Sequence, residues 1–456
     1  VADALTRAKV PPEAISVLVV NADGQSAPRL NHRADVPMNP ASVMKLLTTI
    51  AALDLLGPAF VWRTPVWLDG PVKGGVLKGN LLIQGQGDPK LVLEKLWLLL
   101  RRVQGLGVLT IDGNIVLDRN AFATVPVNPA EFDGEPLRPY NVSPDALLIN
   151  YKSVLITLTP DLTNAVARVQ IDPPLSGVQV PATVPLQKTA AADCGDYRKT
   201  LKANFSDPTH IRLAGSYPLS CGEKIWPVAY SDPASYNART IAGLWRSMGG
   251  KLTGSVLDGI APTTPATFEV VSPPLADVIR DINKFSNNVM AEQLFLTLGR
   301  TNGREVQTTQ ATPEAARETL RQWWLQRINT LASTAVQALP APVLDNGSGL
   351  SRQTRMSAQQ LARLMQVAYA SPYMPELMSS LPIVGIDGTL KRSQAALASA
   401  HLKTGSLQGV LALAGFVHAA GGQQVCLVAL INHPNASAAR PALDALIDWT
   451  LADSAK

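Results

Sequence analysis

Two textures of apolar and polar residues alternate along this chain. Ile15–Asn21 is a β-rich run closed by the turn Ala22-Asp23-Gly24, and a short strand to about Asn31 would complete a hairpin. Asn39-Pro40 then opens a segment that is strongly apolar beyond its first turn and runs to Leu56-Gly57. Asn39 suits an N-cap, Pro40 the first helical position and Gly57 the stop, which predicts a buried central helix. From about Thr64 to Thr267 short β-like runs (Leu81–Gln84, Val154–Leu158, Ala167–Ile171, Ile211–Ala214) alternate with Gly, Pro and Asp turns, a mainly β texture.

Helical spacing returns after Phe268–Ser272. Leu275–Asn283 and Asn287–Leu298 are candidate helices, and Thr312-Pro313-Glu314 opens another with an N-cap followed by Pro. Ser357-Ala358-Gln359-Gln360 is a capping box heading Ala358–Ala370. The end reads as strands Leu402–Gly405, Leu411–His418 and Gln424–Ile431, then a helix from about Ala438 to Ala452. Hairpin, helix, long β insertion, helices, strands and terminal helix make an α+β core interrupted by an inserted module.

Composition narrows this picture. With 456 residues the chain has room for two to four domains and a sizeable core, and a hydrophobic fraction of 46% excludes wholesale disorder. The net charge of +5 comes from scattered Lys and Arg with no basic block, so no nucleic-acid arm is expected. The charge-free stretch Thr404–Ala439 is broken at Ala419–Gln424 into two apolar runs, each too short to span a bilayer, and reads as a hairpin. No repeat of 20–50 residues is evident. The start Val-Ala-Asp-Ala-Leu is what an exported protein shows after signal-peptide removal, and what a shortened chain would show too. Cys194 and Cys221, 27 residues apart, read either as a disulfide from an oxidising compartment or, with Cys426, as three buried thiols. Neither C-x-x-C nor a His pair at metal spacing occurs, so no metal site and no cofactor is expected.

Three short segments carry the candidate chemistry. In Ser42-Val43-Met44-Lys45 the residues three apart share a helix face, so Lys45 could accept the Ser42 proton if burial and a neighbouring cation keep it neutral. A helix start there would offer N–H groups to a developing oxyanion. Among all the lysines, only Lys45 has a Ser three residues before it. Ser286-Asn287-Asn288, at a helix start, offers a hydroxyl relay and two amides. Lys403-Thr404-Gly405-Ser406 on an edge-like strand offers a cation, two hydroxyls and a Gly that admits a close backbone. Each alone is a weak signal, read more readily as a cap or a turn. The three in this order are hard to obtain by accident.

Rival chemistries find less support. No G-x-S-x-G elbow occurs, and His32, His210, His401, His418 and His433 are dispersed. Asp88, Asp345 and Asp387 all adjoin Gly or Pro turns, and Trp323-Trp324 reads as core.

The Ser-x-x-Lys, Ser-x-Asn and Lys-Thr-Gly set resembles that of penicillin-binding proteins and β-lactamases. Ser42 and Ser286 are 244 residues apart, and Ser286 and Lys403 are 117 apart. A compact β-lactamase has no room for the first gap. The chain therefore resembles the class C low-molecular-mass penicillin-binding proteins, the D-alanyl-D-alanine carboxypeptidase/endopeptidase family. Family-like text recurs at Gln84–Pro89, Asn346–Arg352, Gly385–Leu390 and Lys403–Gly409, so the resemblance covers nearly the whole chain. Asn287 stands where many relatives have Asp, and Asn346 where relatives often have Asp.

The resemblance implies a penicillin-binding-protein/β-lactamase-like catalytic core, a central antiparallel sheet with helices on both faces, built from residues 1–63 and 267–456. A β-rich inserted domain would comprise 64–92 and 145–266, with a smaller domain, 93–144, nested in it. The implied function is a periplasmic or envelope serine D-Ala-D-Ala carboxypeptidase/endopeptidase acting on peptidoglycan stem peptides and acylated by β-lactams. Ser42 would be the nucleophile, Lys45 its base, Ser286 the relay, Asn288 a holder of the substrate amide, and Lys403, Thr404, Gly405 and Ser406 the carboxylate and backbone site. Arg352 and Gln408, with an acidic partner at Asp133, match positions that recognise a diaminopimelyl side chain. A silent peptidoglycan-sensing module and a β-lactamase or esterase on the same fold are the alternatives.

Overall fold

The computed structural model describes residues 1–123, 128–187, 194–302, 305–306, 310–329 and 338–452. The chain forms two compact units, Val1–Val61 with Pro273–Lys456, and Trp62–Ser272.

The first unit is built on a five-stranded sheet in the order Leu30–His32, Ile15–Asn21, Gln424–Asn432, Val410–His418, Ala400–Leu407, with every neighbouring pair antiparallel. Val17, Val19, Leu411, Leu413, Leu427 and Ala429 share a core with Leu443, Leu446 and Ile447 of the terminal helix Arg440–Ala452. Leu18, Ala412, Ala414, Cys426, Val428 and Leu430, of the other parity, are buried too. The helix Ala358–Tyr369 packs on this sheet, and its Tyr369 ring meets Phe416 at 5.9 Å. A sheet covered on both faces has no polar side to alternate with, which is why Val410–Val417 and Val425–Ile431 read as unbroken apolar runs.

Caps decide where the helices start. The Ser357–Gln360 capping box is present, and Thr312 Oγ1 accepts from the Ala315 N–H. The central helix starts slightly later than expected. Asn39 Oδ1 accepts from the Ala41 N–H at 2.8 Å, Pro40 lies before the first turn, and Ala41–Met44 is a 3₁₀ turn that passes into the α-helix Lys45–Leu56. Gly57, at φ +80°, ends it, and its residues are almost all buried. Trp323 and Trp324 are core residues as expected, and the Trp323 indole donates to Asp54.

The second unit contains two five-stranded sheets. One runs Tyr217–Pro218, Thr183–Gln187, Val166–Asp172, Ser153–Asp161, Lys224–Ala229; the other runs Val256–Asp258, Ile115–Asp118, Asn80–Gln84, Arg63–Asp69, Phe268–Val271. Ile115–Asp118 pairs in parallel with Asn80–Gln84 and with Val256–Asp258, so strands from 93–144 share sheets with strands on both sides of them in sequence. Two amphipathic helices, Leu93–Gly105 and Tyr236–Ser247, were hidden by the turn-rich texture. Leu96, Leu99, Leu100 and Val103 recur at helical spacing and are all buried, so the periodicity was there to be read. Cys194 and Cys221 are disulfide-bonded, and Cys426 is a free, buried thiol. Among the described residues no helix is long and apolar enough to cross a membrane, and no cluster of His, Cys, Asp or Glu could hold a metal ion.

Candidate active site

Ser42 lies in the 3₁₀ turn ahead of the central helix, where it keeps some exposure, whereas Lys45 at the head of that helix is fully buried. Lys45 Nζ lies 3.0 Å from Ser42 Oγ, 2.7 Å from Asn288 Oδ1 and 2.6 Å from the Ser348 carbonyl oxygen. Burial pulls its pKa from 10.5 down to about 7, against the opposing pull of Glu292. A neutral amine has two protons to donate and one lone pair. With the protons on Asn288 Oδ1 and the Ser348 carbonyl, the lone pair faces the Ser42 hydroxyl, the arrangement a general base requires.

The backbone here is held in unusual conformations. Ala41, just before Ser42, has φ +46°, and Ser286 has φ +56°, both in the left-handed region that costs a non-glycine residue on the order of 1–3 kcal/mol. Packing enforces the first. Gly349, at φ +81°, sits so close that a Cβ would fall 2.0 Å from the Ala41 carbonyl oxygen. Ser286 turns the chain between the helices Leu275–Phe285 and Asn288–Leu298, and Asn287 Oδ1 caps the second helix by accepting from the Met290 N–H. Asn and Asp cap equally well, so the departure at Asn287 is physically neutral.

Lys403 is fully buried on the edge strand, with Nζ 2.8 Å from Ser286 Oγ and 2.7 Å from the Thr404 carbonyl oxygen. Its pKa lies well below the ordinary lysine value, because of burial first and the neighbouring Lys45 second. In the antiparallel register Lys403 lies opposite Ala414 and Gly405 opposite Ala412, so both point to the face shared with those alanines. Thr404 Oγ1 lies 2.6 Å from Thr389 Oγ1. The loop carrying Thr389 is fixed by Asp387, which takes Lys284 Nζ at 2.6 Å and the Ile383 N–H at 2.8 Å. Ser406 is exposed on the same edge.

Ser42, Lys45 and Asn288 thus meet in one cluster, and Ser286 joins Lys403 and its strand. Arg352 Nη1 donates to the Gln408 carbonyl oxygen at 2.8 Å, so these two exposed residues are adjacent. Asp133 belongs to the other compact unit, where it accepts from Tyr140 Oη, Asn141 Nδ2 and the Glu135 N–H. Desolvation alone would raise its pKa, but these bonds hold its carboxyl below the usual range. Sequence reasoning missed two participants. Ser348, in the family-like run Asn346–Arg352, supplies a carbonyl to Lys45. Glu292 lies one turn beyond Asn288 on the same helix face, a spacing that could have marked it.

A serine hydroxyl 3.0 Å from a buried lysine amine, at the head of a buried helix, is an arrangement suited to acyl transfer through an active-site serine. The chain belongs to the D-Ala-D-Ala carboxypeptidase 3 (S13) family, whose model matches residues 1–452, and with that family it is a serine-type D-Ala-D-Ala carboxypeptidase. It is 26% identical over 409 residues to D-alanyl-D-alanine carboxypeptidase DacB of Haemophilus influenzae, covering 87% of this chain and 80% of that protein. It is 26% identical over 439 residues to the D-alanyl-D-alanine carboxypeptidase of Actinomadura sp. (strain R39), covering 91% and 77%. The crystal structure of penicillin binding protein 4 from Haemophilus influenzae matches with a TM-score of 0.71 at 24% identity, over 98% of this chain and 99% of that one. That likeness bears out the α+β penicillin-binding fold with its additional β sheets. The disulfide fits an extracytoplasmic, oxidising location.

Proposed function

We propose that the protein cleaves D-Ala-D-Ala-terminated peptidoglycan stem peptides, or cross-links between them, through an acyl-enzyme on Ser42. The observation that carries this reading is the threefold contact of Lys45 Nζ with Ser42 Oγ, Asn288 Oδ1 and the Ser348 carbonyl. Lys45 removes the Ser42 proton as Oγ attacks the scissile carbonyl. Backbone N–H groups of Ser42 and Ser406 face the oxyanion, where losing one donor costs on the order of 10²–10³ in turnover. Ser286, hydrogen-bonded to Lys403, gives its proton to the leaving amine and takes in its place the one that Lys45 removed from Ser42. Asn288 holds the substrate amide, and Lys403, Thr404 and Ser406 take the terminal carboxylate. Water then releases the acyl group. A β-lactam stays bound, because its leaving group remains tethered.

The adjacency of Arg352 and Gln408 supports a subsite for the free end of a diaminopimelyl side chain. The two compact units support a catalytic core of about 1–63 and 267–456 around an insertion. The disulfide and the family support a periplasmic or cell-envelope site of action. The deciding experiment is intact-protein mass spectrometry after exposure to penicillin. One adduct mapped to Ser42 and lost in Ser42→Ala is expected; an adduct that persists in that variant ends the reading. Release of D-Ala from a stem peptide completes the test.

A further inference from the structure

Behind Lys45 lies a carboxyl that the mechanism above does not use. Glu292 Oε1 accepts from Ser348 Oγ at 2.9 Å, and the carbonyl of the same Ser348 accepts a hydrogen bond from Lys45. Ser348 is wholly buried and tied down on every side. Its N–H donates to Asn346 Oδ1 at 3.1 Å, and its Oγ accepts from the Leu350 N–H at 3.1 Å and lies 3.0 Å from Asn346 Oδ1.

A hydroxyl has one proton, and here two acceptors compete for it. When Glu292 is ionised, Ser348 Oγ donates to the carboxylate. When Glu292 carries a proton, it donates to Ser348 Oγ, which turns its own proton to Asn346. Both arrangements are fully hydrogen-bonded, so the cluster accommodates either charge on Glu292 without moving the Ser348 carbonyl. The charge itself is not neutral for Lys45. A carboxylate there favours the ammonium, which cannot act as base, and a protonated Glu292 does not.

We propose that Glu292, seated on Ser348, is a positioning and charge-setting residue that fixes the pH at which Lys45 becomes the base for Ser42. This rests on the reading of Lys45 as general base. The charged groups around the pair are Lys403, from the edge strand, next to Lys45, and Asp345, from the loop before Asn346, next to Glu292. The Lys45 charge disfavours the Lys403 ammonium, and Asp345 disfavours the Glu292 carboxylate. Burial pushes the Glu292 carboxyl up to about 7, against the hydrogen bond from Ser348 and the charge of Lys45, into the range where Lys45 titrates.

The test is the pH dependence of the second-order acylation rate with a chromogenic β-lactam, between pH 4.5 and 9. Glu292→Gln keeps the acceptor for Ser348 and removes only the charge. The carboxylate acts only where Glu292 is ionised, so the upper part of the acid limb is expected to move down, the variant acylating about two- to threefold faster than the parent around pH 7.5 and at the parental rate at pH 5.5. Ser348→Ala keeps the carbonyl but removes the donor to the carboxylate, and a smaller shift in the same direction is expected. It decides the matter if Glu292→Gln does not fold. Acid limbs coincident with the parent's in the folded variants, or a rate lowered equally at every pH as a structural role would give, overturn the proposal. Lys45→Met, measured alongside, separates the two layers: acylation at the parental rate there sinks the general-base reading itself, whereas its loss with unmoved limbs in the other variants sinks only the role of Glu292.

Discussion

The backbone of Gly405 passes so close to the turn carrying Ser42 that a Cβ at residue 405 would lie 3.1 Å from the Ser42 nitrogen and 2.6 Å from the Pro40 carbonyl oxygen. The edge strand and the nucleophile turn are thus in backbone contact, and the last residue of Lys403-Thr404-Gly405 must be glycine for steric reasons.

Gly405→Ala forces the strand and the turn apart. Overpacking against backbone costs about 1–3 kcal/mol, and displacing the Ser42 N–H by a few tenths of an ångström weakens the oxyanion site. We expect β-lactam acylation to fall by on the order of 10²-fold, with a modest drop in Tm. A folded variant with parental acylation kinetics would show that the contact can relax without consequence.

Two buried amines make stability depend on pH. Lys45 and Lys403 both have native pKa values below that of an unfolded lysine, so the unfolded chain binds more protons in alkaline solution. Stability therefore rises with pH above the native pKa, by up to about 1.4 kcal/mol per pH unit per lysine, until the unfolded value of 10.5 is reached. The window from pH 7.5 to 9.5 lies above the titration of Glu292 (about 7) and Asp88 (about 6). Burial raises the Cys426 pKa, which opposes the trend, so the difference between parent and Lys403→Met is the quantity to follow. Urea midpoints should show a shallower rise in the variant; parallel slopes would mean that Lys403 remains charged in the native state.

The Cys194–Cys221 bond closes a loop with a sequence separation of 27. Chain-entropy reasoning gives it about 3–4 kcal/mol, drawn from the unfolded state. Dithiothreitol, or the double Cys→Ser variant, should lower the unfolding temperature by several degrees in calorimetry. An unchanged transition would mean that the strands around Cys221 hold without the bond.

Arg352 is the residue to change for specificity. Arg352→Ala should lower kcat/KM for a peptide bearing a free diaminopimelyl amine and carboxylate by about tenfold or more, while a Lys-type peptide is cut as before. Equal losses on both peptides would assign Arg352 to holding the Gln408 loop instead.

Much of this was legible in the chain itself. Ser42 and Lys45 lie within one turn, so local helix geometry brings them together, and caps such as Ser357–Gln360 are formed by residues close in sequence. The two helices at Leu93–Gly105 and Tyr236–Ser247 were also locally encoded, but frequent turn residues around them masked the period.

Order, caps and the chemistry within one turn belonged to the sequence, because they depend on neighbours a few bonds away. What only the tertiary structure decided was which distant groups surround Lys45. Ser348 and Glu292 are ordinary loop and helix residues until folding places a carbonyl 2.6 Å from Lys45 Nζ and a carboxyl 2.9 Å from the Ser348 hydroxyl. The same holds for the lowered pKa values of Lys45 and Lys403, since desolvation comes from burial by the whole domain, and for Lys403 the charge of Lys45 adds to it.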